Sequence, residues 1–173
     1  MLTIGLALAI AAALFTFGRV HTPSYATALF GLRGNPANML KAVLGTAMLG
    51  LAACQVVLAL WIYGHLPGAG QGPGPVRLGH RTGGRVLFLL SLPIAYHCIN
   101  AYGVQLASVR VALHSVLGCF FYGAFAAKVL IVRSSHLPGW ALPLAGGTLA
   151  ASVAVLWYSA ALWQIDGFRA PGL

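Results

Sequence analysis

Carboxylates are almost missing from this chain: among 173 residues there is one acidic side chain, Asp166. That scarcity excludes paired carboxylates for acid–base catalysis, calcium-type oxygen cages, and the carboxylate relays of most ion-driven pumps. Charge of either sign is sparse, at 6% of residues, where ordinary soluble domains carry about a quarter. Cysteine is scarce too. Cys54, Cys98 and Cys119 all fall inside apolar runs without C-x-x-C spacing, which excludes covalent c-type haem attachment and a cysteine-rich zinc site. They read as small buried thiols, with a Cys98–Cys119 bridge conceivable but unneeded.

What remains is apolar. The chain is 60% hydrophobic with a mean hydropathy of +0.88, the composition of a membrane protein. A formal charge of +9 raises nucleic acid as a partner, but the ten basic residues are scattered singly. Most sit at the ends of apolar runs, as headgroup anchors do, so lipid is the expected partner and nucleic acid is not.

The apolar runs predict an all-α integral membrane bundle of five transmembrane helices, over approximately 2–18, 37–63, 83–103, 108–132 and 139–164, in a single transmembrane domain 1–173. No basic stretch precedes the first run, which argues against a secretory signal peptide. Ser24 to Leu32 is expected along the interface, ended by Gly34-Asn35-Pro36. Gly45, Gly50, Ala52 and Ala53 give the second helix small faces for packing. His65 to Gly79 is rich in glycine and proline and reads as a flexible solvent loop. Basic residues divide evenly: Arg19, Arg33, Lys41, Arg110 and Arg169 at one end, and Arg77, Arg81, Arg85, Lys128 and Arg133 at the other. Discounting Lys128 and Arg85 as lying within helices places the first group, by expectation, on the cytoplasmic side.

Two histidines then stand out, because an ionisable group at membrane depth is costly. Helices three and four turn near Val104 to Ser108. Measured from there, His97 lies about 12 Å deep and His114 about 8 Å deep. Bis-imidazole haem ligation needs two histidines at one level on facing helices, so His97 and His114 are the candidate iron ligands of one haem b. On the fourth helix Arg110, His114, Gly118, Phe121 and Phe125 share a face. There Gly118 would leave room for a macrocycle, and Arg110 would meet a propionate. Pro93 bends the third helix below His97, and Asn100, one turn above it, could bond a propionate or a ligand nitrogen. The structural alternative makes them histidines bonded to neighbouring helices, a kink, a packing glycine and an interfacial anchor.

At the other end are His65, His80, Lys128 and His136. Lys128 falls on the His114 face about 21 Å away, where a two-haem helix would carry histidine, which argues against a second haem bound in that manner. His80 paired with His136 is the minor alternative for a second haem site.

The run HRTGGR, His80 to Arg85, ahead of an apolar helix with an internal histidine resembles the H-R-x-x-G-R opening of haem helices in b561-like and ferric-reductase-like b-type cytochromes. More of the chain, through LPxAYHCxxAYG, RxxxHSxxGxFFYGAFAAK and LPGWxLP, is similar to a family of actinobacterial five-helix membrane proteins. The resemblance implies an electron-transfer subunit of the bacterial cytoplasmic membrane, with His97 and His114 on the iron and a Rieske-type or other redox protein, or a quinone, as partner. Neither a second histidine pair nor a flavin- or nicotinamide-binding domain is present, so a subunit is expected rather than a complete reductase. A cofactor-free structural or assembly subunit of a respiratory complex is the alternative. A small transporter is disfavoured by the few polar groups on helices one, two and five.

Overall fold

In the computed structural model, which describes residues 2–134, 137–169 and 172, the chain folds into five helices. They are α1 (Leu2–Val20), α2 (Gly34–Ile62), α3 (Gly74–Tyr102), α4 (Val109–Arg133) and α5 (Ala141–Leu156). The last continues without a break through a π-helical segment, Trp157–Leu162, and a final turn, Trp163–Ile165. Among the described residues the only extended pairing is an isolated bridge between Leu29 and Leu32. Four helices, α2, α3, α4 and Ala141–Ile165, are long and apolar enough to cross a membrane, and α1 is shorter. Their outward surfaces suit lipid, since Leu8, Leu89 and Leu144 on three different helices are each more than 60% exposed.

Helix ends follow local chemistry. Ser108 caps α4 by accepting from the Val111 amide at 3.3 Å, and Gly103, at φ +68, stops α3 in a conformation that favours glycine. Two boundaries differ from expectation for one reason, proline in a first helical turn, where its missing N–H costs nothing. Pro36 lies inside the first turn of α2, so Gly34-Asn35-Pro36 opens that helix rather than only ending the segment before it. Pro75 lets α3 begin at Gly74, well ahead of the expected start at 83. The expected flexible loop shrinks accordingly. What is left of it is tied to the end of α2 by Gly72 N–H to the Trp61 carbonyl, 3.0 Å, and by Trp61 Nε1 to the Ala69 carbonyl, 3.3 Å.

The packing is α1 on α4, α4 on α5, and α2 on both α3 and α5. At Gly123 the α1 backbone comes so near that a Cβ would strike the Ala7 carbonyl and lie 3.2 Å from the Ala11 methyl. The expected small face of α2 is only partly used: Gly45 faces Ala161, but Gly50 faces open space. Met48, Ala52, Leu87, Phe121, Leu149 and Val153 form the core from four helices. The backbones of α3 and α4 do not pack closely. Side chains bridge them instead: Phe88 stacks on Phe125 at 4.2 Å, and Tyr122 donates to Ser91 at 3.0 Å. Beside that bridge an apolar groove of about 360 Å³ opens toward Ile10 and Leu14 of α1.

Candidate functional site

Polar side chains collect at the end of the bundle where α1, α3 and α5 finish and α2 and α4 begin. His97 is almost completely covered, at 1% exposure. Its cover is the segment after α1, which folds back under α3: the Ser24 amide donates to the Asn100 carbonyl at 2.9 Å, and Leu29 is buried. The expected interfacial stretch is therefore a strap across the end of α3. His97 Nε2 lies 3.2 Å from the Thr27 carbonyl. A carbonyl can only accept, so Nε2 carries the proton and Nδ1 is the lone-pair nitrogen. That Nδ1 is buried without a partner among the described residues. Around the ring, Tyr102 packs edge-on at 5.8 Å, its hydroxyl donating to Asn38 Oδ1 at 2.8 Å. Lys41 sits 4.5 Å above the Tyr102 ring and 3.7 Å from Cys98 Sγ.

His114 points to a different neighbour, the π-helical segment of α5. Ser159, fully buried, donates its hydroxyl proton to the Val155 carbonyl at 2.8 Å. Its Oγ therefore accepts the contact from His114 Nδ1 at 3.1 Å, making Nδ1 the protonated nitrogen and Nε2 the lone pair. The Leu156 carbonyl, 3.3 Å from the same Oγ, lies beside the ring. The Ser159 carbonyl in turn accepts from Arg110 at 2.8 Å, and the guanidinium lies 3.9 Å over the Trp163 ring. One buried serine thus holds both Arg110 and His114. π segments of this kind are often found at functional sites, because the extra residue turns a side chain that a regular helix would place elsewhere.

Of the sequence-derived set, His97, His114 and Arg110 lie at one end, as expected, but the strap engages His97 while the π segment of α5 engages both His114 and Arg110. Arg110 is spent on α5. Asn100 bonds back to the Tyr96 carbonyl at 2.8 Å, and Gly118 faces Leu156 of α5, with room for a Cβ at 4.0 Å. For a haem, a ligating imidazole donates its Nδ1–H to a fixed acceptor and keeps Nε2 for iron. His114 meets that requirement as it stands. His97 does not, since Nε2 is the nitrogen spent on the strap, and ligation through it requires the ring to release Thr27.

At the opposite end His80 meets the Gln55 backbone and Lys128 lies near it, while His136 is outside the described residues. The two glycines of HRTGGR have a packing reason: a Cβ on Gly83 would strike the Gln55 amide, and one on Gly84 would lie 3.7 Å from its oxygen. Among the described residues no three His, Cys, Asp or Glu side chains converge as a metal-binding group.

Residues 1–172 match one protein family. The chain belongs to DUF6529, a family of unknown function. No curated protein and no solved structure matches the chain. What the family does must therefore be argued from residues such as these. Sequence reasoning missed Thr27, Tyr102 and Ser159. Only Ser159 carried a signal, as the one hydroxyl in the apolar run WYSAALW that is not on an aromatic ring.

Proposed function

We propose that the chain is a five-span integral protein of the bacterial cytoplasmic membrane and acts as a b-type cytochrome-like electron-transfer subunit, with one haem b between His97 and His114. The observation that carries this reading is His114, an imidazole in a membrane-spanning helix whose Nδ1–H is fixed by a buried serine and whose lone-pair nitrogen is Nε2. The α3 and α4 backbones do not pack closely, although Phe88–Phe125 and Tyr122–Ser91 fill part of the interval between them. The unpartnered nitrogen of His97 is Nδ1, so this ring would reach an iron through Nε2 only after releasing Thr27. When bound, the haem would supply one-electron chemistry. The residues of the chain would hold it, keep water from it and set its surroundings: His114 in a fixed tautomer, His97 under the strap, and Lys41 and Arg110 as nearby positive charge. A quinone or a Rieske-type protein are the partners consistent with such a subunit.

The test is the absorbance of detergent-purified protein from haem-sufficient cells. A reduced b-type α-band is expected in the parent chain and absent from both His97→Ala and His114→Ala. Colourless protein would instead support a cofactor-free structural or assembly subunit. One observation favours that second reading: Nε2 of His97 is used to hold the strap, the ordinary work of a buried histidine.

A further inference from the structure

α3 is longer than a bilayer requires. Its 29 residues extend about 43 Å, whereas the hydrocarbon core takes about 30 Å, or about 20 residues. Counted back from Tyr102, that length is used up at Gly83, and Gly74 to Thr82 stand in the headgroup layer. This surplus is basic, carrying Arg77 and Arg81, with Arg85 following just inside the counted span. Arg77, Arg81 and Arg85 recur every fourth residue, so they share one helix face, and all three are exposed. None of the three side chains has a hydrogen-bond or ion-pair partner among the described residues. The chain's one acidic side chain, Asp166, lies past the far end of the bundle and cannot neutralise them. The other side of the same segment is already committed, with Gly83 and Gly84 against Gln55 of α2.

Below the arginines their face turns apolar while staying open: Leu89 is 62% exposed and Leu92 41%. Three unpaired guanidiniums that lead directly into exposed leucines fit a molecule with an anionic head and a hydrocarbon tail. A soluble acidic protein would match the arginines and not the leucines. We propose that the Arg77–Arg81–Arg85 face of α3 is a binding site for an anionic phospholipid, its phosphate on the guanidiniums and an acyl chain along Leu89 and Leu92. This rests on the membrane reading above and is independent of the haem.

The test is native mass spectrometry of the detergent-purified chain with equal amounts of phosphatidylglycerol and phosphatidylcholine. The variants are the triple Arg77→Gln/Arg81→Gln/Arg85→Gln and a control, Arg33→Gln/Arg169→Gln, at the other end. All five arginines are exposed, and size-exclusion chromatography checks that the variants stay folded. The parent and the control are expected to retain phosphatidylglycerol selectively. The triple variant loses about fivefold in affinity per arginine, the fold-change that about 1 kcal/mol per basic residue converts to. Equal retention of the two lipids, a triple variant like the parent, or displacement by millimolar inorganic phosphate would each overturn the proposal. A chain recovered in the soluble fraction would overturn it together with the membrane reading, whereas a membrane-bound chain without lipid preference overturns the lipid site alone.

Discussion

Ser159 shows how much one hydroxyl can arrange in an apolar bundle. It satisfies its own proton on Val155, accepts from His114, and offers its carbonyl to Arg110. Ser159→Ala leaves the His114 Nδ1–H with only the Leu156 carbonyl nearby, and thermal unfolding in detergent is expected to show a loss of about 1 kcal/mol. If a haem is present, losing this fixed acceptor should weaken its binding about 10–100-fold in a haem-transfer titration. Gly118 separates the two functional readings differently. A methyl group there clears Leu156, so Gly118→Ala should leave the melting temperature unchanged or somewhat raised, since alanine favours the helix. If a macrocycle lies against that glycine, pigment content per chain should fall; an unaltered pigment content would remove Gly118 from the cofactor site.

At the scale of helices, close approach is concentrated where α1 meets α4. Gly123 faces the Ala7 carbonyl with no room for a side chain, whereas Gly50 faces nothing within 4 Å. Gly123→Val is expected to cost about 1–3 kcal/mol by overpacking. Gly50→Ala should range from neutral to about 1 kcal/mol stabilising, because alanine favours the helix. Thermal shift measured on both variants in one detergent checks the pair, and equal melting temperatures would contradict the described α1–α4 contact. Apolar runs alone place the five helices to within a few residues, except where proline sits in a first turn. The expectation that α3 starts at 83 read Pro73 and Pro75 as loop residues, when Pro75 is compatible with a helix already begun.

For the molecule as a whole, the proposed five spans predict that the chain stays with the membrane pellet after alkaline carbonate extraction and needs detergent to leave it. Appearance in the supernatant would reduce the exposed leucines to unexplained surface. Composition already implied lipid, because a chain with 6% charge and one acid has too little polar surface to be solvated as a soluble domain. Helix number and the shared end of His97 and His114 were likewise legible, since both depend on run length and distance from a turn. Which way each imidazole points was not legible, because a side chain takes the partner that tertiary contact offers it. The strap presents a carbonyl to His97 and the π segment presents a hydroxyl to His114, and neither Thr27 nor Ser159 is near its histidine in sequence. Hydrophobic periodicity thus determines that there are helices and roughly how deep each residue lies. Only the packed bundle decides which polar atoms meet, because in lipid each buried donor must find its acceptor across helices.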